Sequence, residues 1–452
     1  MLNSTNTHRS VPAALLGTLV AAALVGCGPV NAGSASGSRF QEHMEALPGV
    51  ISARGDGQNP LPFTGSMDGR VEIEADADAT DLRRITDEMG AWWVDNESGS
   101  LDVRSMEAVV GPVAFPVSPS RSGNQTTLDL VALVRPLGGF TSITVDDDAG
   151  DQLGLVAERS EGDAFAALET LAAARADDPR FAGAPVAATA GDVTVRSDSG
   201  DVDPEVRAAY DSVVSAAEVT AADIGPERLA FTLADRDDGR AVAGLLADEA
   251  SSHDVRVTAG GVVRTVDGPL DRVEGLLAAA ESRVEVTGAE LSASTLEVRT
   301  TSGADALAAA AAMAESDDIP GIDVLARPAD DATAIGTFAA VGADSADLRS
   351  GVDLLDALVD VAGVDAASLV DGELSIQVAA ATDDSLRAVF TAAAPHLEPG
   401  LPVTVRSGRG EADFVVEPGP LELPARTTDT DEDAALRTLA ADAWNAVAPL
   451  EP

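Results

Sequence analysis

Chemistry in this chain starts with a single thiol. Among 452 residues there is one cysteine, Cys27. It follows a run from Val11 to Val25 that is apolar or small almost throughout, and Gly26 stands directly before it. A thiolate is a strong nucleophile and can accept an acyl-bearing group. Small residues ahead of it let a peptidase approach the backbone closely. With no second cysteine, neither an intramolecular disulfide nor a cysteine-based metal site can form. Of the four histidines, His8, His43, His253 and His396, none has the H-E-x-x-H or another paired-ligand spacing. No G-x-S-x-G elbow, P-loop or dinucleotide-binding glycine pattern occurs. No catalytic residue and no cofactor are expected.

Carboxylates are everywhere, so their pairing carries little information. Two acidic turns suggest oxygen-rich cation sites, Asp146 to Asp151 and Asp198 to Asp203. Neither has the spacing of a 12-residue calcium loop. Divalent cations are expected at most as weakly held partners, with no dedicated metal ligands. Trp92-Trp93 suggests either a stacking platform or, more simply, one ring in the core and one half-exposed.

Leu24-Val25-Gly26-Cys27 resembles the lipobox of bacterial lipoproteins. That resemblance implies a signal peptide over residues 1–26, cleavage between Gly26 and Cys27, and a lipid on Cys27. The apolar run is shorter than the ~20 residues a spanning helix needs, and Pro12 interrupts its start. Acyl chains contribute ~0.8 kcal/mol per buried methylene, enough for firm anchoring when two signals combine. The expected address is the cell membrane, lipid-anchored and facing outside the cytoplasm. Residues 27–38, rich in Gly, Ser and Ala, read as a flexible lipidated tether.

Composition narrows the partners. The chain is 45% hydrophobic, so it can bury real cores, yet only 3% aromatic, so Ala, Val and Leu must fill them. The net charge is −47, and every basic side chain is Arg. Such a charge excludes nucleic acid, whose phosphates need cations to displace counterions. It also disfavours lying flat on anionic lipid. The membrane is therefore met through the N-terminal lipid, and an envelope protein is the expected further partner.

Hydrophobic periodicity then supplies the elements that would position any site. A short helix is expected over residues 39–47, a strand at Val50–Arg54, a Pro/Gly loop at Gly55–Gly65, and a helix capped by Thr80. Residues 109–145 look strand-like but irregular, broken by Pro112, Pro116, Pro119 and Pro136. From residue 152 onward, strand and helix patterns alternate. Asp371-Gly372 predicts a tight hairpin. The unit over 229–286 reads strand, helix, strand, strand, helix, strand, the split βαβ pattern. Recurrence at 30–40 residues predicts tandem two-layer α+β modules: 39–150, 151–225, 226–290, 291–371 and 372–452. The pattern is similar to ferredoxin-like modules, a likeness of topology that assigns no site. The function expected is a non-enzymatic, membrane-anchored binding or scaffolding protein of the cell envelope. A transport-associated ligand-binding lipoprotein is the alternative, and an envelope hydrolase a more distant one.

Overall fold

The computed structural model describes residues 32–61, 64–147, 153–316, 321–329, 341–343, 348–424, 426 and 428–447. The lipobox therefore lies outside the described residues. The chain divides into two compact units, Met1–Asp203 and Pro204–Pro452. Both are α+β, built from β-hairpins alternating with helices.

The first unit contains α1 (Ala32–Glu45), β1 (Val50–Leu61), β2 (Thr64–Ile73), α2 (Ala79–Asn96), β3 (Leu101–Val110), β4 (Val113–Pro116), α3 (Arg121–Val134), β5 (Ser142–Asp146), β6 (Gly154–Arg159), α4 (Ala164–Ala176), β7 (Val186–Ala190) and β8 (Val193–Ser197). The second contains α5 (Pro204–Ala216), β9 (Val219–Ile224), β10 (Arg228–Leu233), α6 (Asp238–Leu245), β11 (Asp254–Ala259), β12 (Val262–Thr265), α7 (Asp271–Glu281), β13 (Val286–Leu291), β14 (Thr295–Thr300), α8 (Gly303–Ala314), β15 (Asp323–Pro328), β16 (Val341–Ala343), α9 (Leu348–Val359), β17 (Val364–Val370), β18 (Glu373–Val378), α10 (Asp383–Ala393), β19 (Pro402–Ser407), β20 (Gly410–Val415) and α11 (Asp431–Val447).

Pairing in each unit follows chain order. Strands joined by a short turn run antiparallel, as β11 and β12 do. Strands joined through a helix run parallel and are direct neighbours, as β10 and β11 are, with Phe231 beside Val257. One face of each sheet is apolar and carries the helices. In the second unit a single row across the strands, Phe231, Val257, Arg264, Leu291, Leu296 and Val324, is buried throughout. The opposite face is polar, and the strands accordingly alternate apolar and polar residues.

This pairing differs from the split βαβ expected for residues 229–286 and from ferredoxin-like modules. A split βαβ leaves space for another strand between its two parallel strands; here those strands are hydrogen-bonded to each other. The difference has a geometric consequence. The sheet advances one strand at a time, strand direction reverses at every hairpin, and consecutive helices such as α7, α8, α9 and α10 pack side by side. Crossovers on one face of such a sheet must alternate in hand, whereas about 98% of parallel crossovers are right-handed. Ladders also cross the expected module limits. The limit at 290/291 falls inside β13, and β5 pairs with β6 across the limit at 150/151.

Several local expectations are corrected. Gly55–Leu61, expected as loop, belongs to β1 and pairs with β2 through Gly55–Gly69. Residues 32–38, expected as flexible tether, are the first turns of α1. Both follow from glycine. A Cβ at Gly33, Gly37, Gly55 or Gly57 would collide with backbone, so these four positions let α1 lie directly on β1. The cap of α2 is Asp78, whose carboxylate accepts from the Thr80 and Asp81 amides, and not Thr80. The irregular stretch after Val109 is an ordered β4–α3–β5 unit. Its prolines sit at boundaries, where a missing N–H costs little: Pro112 in a turn, Pro116 ending β4, Pro119 before α3 and Pro136 after it. On and just after α6, Val242 and Leu246 are buried while Leu245 is exposed.

Candidate functional site

In the second unit, one end of the sheet carries a cavity of about 740 Å³. Its position follows from strand lengths. The β13–β14 turn and the β17–β18 turn project from the same end, with the start of β15 and the end of β16 between them. Among the described residues β16 has three, and it registers with β17 through one pair, Val341–Leu369. The ladder is thinnest here, and the cavity opens beside Val324 and Val370.

Part of the lining is aliphatic and almost wholly buried. Leu291, Leu296 and Val324 reach it from the strands, and Leu354 from α9. They are on the helix-facing side or the helix itself and are held by core packing. The rim is acidic. Glu290, Glu297, Asp323, Asp371 and Glu398 line it with His396, and no Arg is among the lining residues. Two of these acids are already engaged. The Arg299 guanidinium donates from Nε to Glu297 at 2.8 Å and also bonds Glu290. Arg327 Nε donates to the same Glu297 oxygen at 2.9 Å. Burial pushes the Glu297 carboxyl up, but the two guanidiniums outweigh it and the net shift is downward. Asp323, Asp371 and Glu398 have no cationic partner among the described residues.

Asp371 stands at the rim because of its turn. Its φ is 52° and that of Gly372 is 72°, the left-handed pair of a type I′ hairpin, as the Asp-Gly dipeptide predicts.

Other candidate residues are not gathered into a site. His43 bonds Glu88 at 2.7 Å on the surface of the first unit. His253 Nδ1 lies 2.9 Å from the Ser252 hydroxyl and beside the Glu249 carbonyl in the second. Among the described residues no three His, Cys, Asp or Glu side chains converge as metal ligands. The turn Asp146–Asp151 falls largely outside the described residues. In the turn Asp198–Asp203 the cation is the protein's own. The Arg175 guanidinium packs onto Gly200, which has no side chain to block it, and bonds the Ala184 carbonyl. Burial lowers its pKa and the charge of Asp201 opposes that. Trp92 is buried edge-on to Phe40, with centroids 5.0 Å apart. Trp93 is half-buried and donates from Nε1 to Glu97 at 3.1 Å, so the pair makes no stacking platform. Gly26 and Cys27 lie outside the described residues. No described helix is long and apolar enough to cross a membrane.

Sequence reasoning missed the cavity. Its aliphatic lining residues read as ordinary core positions, and its place depends on which strand ends fall together, which periodicity does not register.

No protein-family model matches the chain, and neither does any curated protein or solved structure.

Proposed function

We propose that this is a lipid-anchored, extracytoplasmic binding protein of the cell envelope, without catalytic activity of its own. Cys27 at the end of its apolar run supports the address. The reading rests chiefly on the cavity of about 740 Å³ in the second unit. Its volume fits small-molecule sites, which run to roughly 300–1,000 Å³. The polar open face of the sheet, carrying the Arg299–Glu297–Arg327 network, offers an envelope protein a surface that is charged but locally neutralised.

Fractionation with mass spectrometry tests the address. The native protein should sediment with membranes and yield an N-terminal peptide acylated on Cys27. The Cys27→Ala chain should lose both properties. An unmodified thiol, or a native protein recovered in the cytosol, removes the reading.

A further inference from the structure

The acylation site and the folded body are nearly adjacent in the chain. We propose that the first unit stands on the bilayer by the turn end of its β1–β2 hairpin, with the start of α1, Gln58 and Asn59 among the lipid headgroups. The proposal rests on the reading that Cys27 is acylated, and it specifies which surface meets the membrane.

Chain length carries the argument. Helix α1 begins at Ala32, five residues after Cys27. Fully extended, five residues reach at most about 18 Å. The 12 residues of β1 span about 40 Å at the rise of a strand. The lead from the lipid is therefore shorter than the hairpin, and one end of the hairpin is held near the bilayer.

The start of α1 is fixed to the turn end. The Gly33 amide donates to Asn59 Oδ1 at 2.9 Å, and Asn59 Nδ2 donates to Ser34 Oγ at 2.8 Å. A Cβ at Gly33 would strike the carbonyl oxygens of Gln58 and Ser66. The helix then runs back along the hairpin, with Gly37 against Gly55 and Phe40 against Gly69. The chain thus enters at the turn end and leads away from it.

Charge is distributed to suit. Asp56 and Asp68 face each other across the ladder, and from there to the pair Leu61–Thr64 no described position of the hairpin is charged. Helix α1 has no charged residue before Arg39. In a chain with 76 acidic residues, this end approaches headgroup phosphates with little repulsion. Gln58, Asn59 and Ser34 are exposed there and offer neutral hydrogen-bonding groups. In the neighbouring turn before β3, Glu97 accepts from the Trp93 indole.

Spin labelling of the acylated full chain in phosphatidylcholine–phosphatidylglycerol vesicles tests this. Cys27 is the single native cysteine, and the lipid occupies its thiol, so an introduced cysteine is the one site labelled. Gln58→Cys and Ala35→Cys, both exposed positions, are compared with Ile51→Cys, 64% exposed near the other end of β1. Accessibility to oxygen, which enters lipid, relative to a water-soluble nickel chelate reports depth. That ratio should be several-fold higher at 58 and 35 than at 51. The contrast should vanish when the Cys27→Ala chain carries the same labels free in solution. Equal ratios at all three positions on vesicles would overturn the proposal, as would a higher ratio at 51. Mass spectrometry of each labelled chain separates the two readings. An unmodified Cys27 removes the membrane address and this orientation with it, whereas an acylated, sedimenting chain without the contrast removes the orientation alone.

Discussion

Arg264 and Glu274 form an ion pair sealed inside the second unit, with Nε 2.6 Å from Oε1 and the two residues exposed by 4% and 7%. Arg264 occupies a position on the helix-facing side of β12 where its neighbours across the ladder are Val257 and Leu291. Glu274 reaches it from α7. The guanidinium Nη1 has no hydrogen-bond partner and lies close to Gly239, where any side chain would strike it.

Such a pair gains little over apolar residues of the same size, but half of it is costly. Glu274→Leu leaves a buried, uncompensated cation and should destabilise the unit by about 3–5 kcal/mol. Arg264→Met with Glu274→Leu should recover most of that loss. Urea unfolding followed by Trp444 fluorescence, in a Trp92→Phe, Trp93→Phe background, reads the second unit specifically. A double variant as unstable as the single one would show that the pair's geometry, and not its charge balance, matters.

The β17–β18 turn gives a second test. Asp371 is the single non-glycine residue with positive φ among the described residues. Left-handed backbone costs most residues roughly 1–2 kcal/mol, and Asn, Asp and Gly less. Asp371→Val should therefore lower stability by about that amount, while Asp371→Gly should be close to neutral. Equal destabilisation by both would mean that the carboxylate itself holds the turn.

The extent to which these features could be read from sequence depends on how local their causes are. The Asp-Gly turn at 371–372 was legible, because turn chemistry acts over a few residues; the buried faces Leu82–Ile85–Met89 and Leu386–Val389–Phe390 follow helical spacing in the same local way. Helix α3 was not. Its first half, RSGNQTT, is polar, and its buried aliphatics, Leu128, Leu130, Val131 and Val134, come late. The α1–β1 contact was hidden for a related reason. Glycine and serine read as tether, although Gly33 and Gly37 serve a close backbone approach to residues more than 15 positions away. Strand order was beyond reach, since an adjacent and a split βαβ have the same local pattern. The acidic rim was invisible among so many other acids.

The C-terminal helix should be needed for the second unit to fold. Trp444 on α11 is 1% exposed and meets Phe390 and Phe414 with centroids 5.4 and 5.7 Å away. Aromatic side chains are scarce in this protein, so few others can cover the end of its last hairpin. Trp444→Ala should cost about 3–5 kcal/mol, and Trp444→Phe clearly less. Chemical denaturation followed by circular dichroism distinguishes them. A near-neutral Trp444→Ala would mean that α11 merely decorates the sheet.

Acidity should shape stability in two opposing ways. At pH 7 the chain carries a net charge of −47, and self-repulsion favours expansion. Protonating ordinary surface carboxylates relieves it, so the melting temperature should rise as pH falls from 8 toward about 5. Added salt should act similarly at pH 7, because the screening length shrinks from about 30 Å at 0.01 M to about 10 Å at 0.1 M. Below about pH 4 the sign reverses. The Asp81 and Thr80 amides hold the Asp78 carboxyl below its ordinary value. The Thr301 and Ser302 hydroxyls do the same for Asp305, as does Thr430 for Asp433, first through its amide and then its hydroxyl. For a depressed carboxyl the stabilisation is complete above the unfolded value, about 3.9 for Asp, and is lost as pH drops through the folded one. Each of these three acids sits at a helix start, so α2, α8 and α11 should fray together in that window. Melting scans from pH 3 to 8 at two salt concentrations should show a maximum in the mildly acidic range that flattens with salt on the alkaline side alone. A melting temperature that climbs steadily to pH 8, indifferent to salt, would mean that local ion pairs and not the net charge govern this fold.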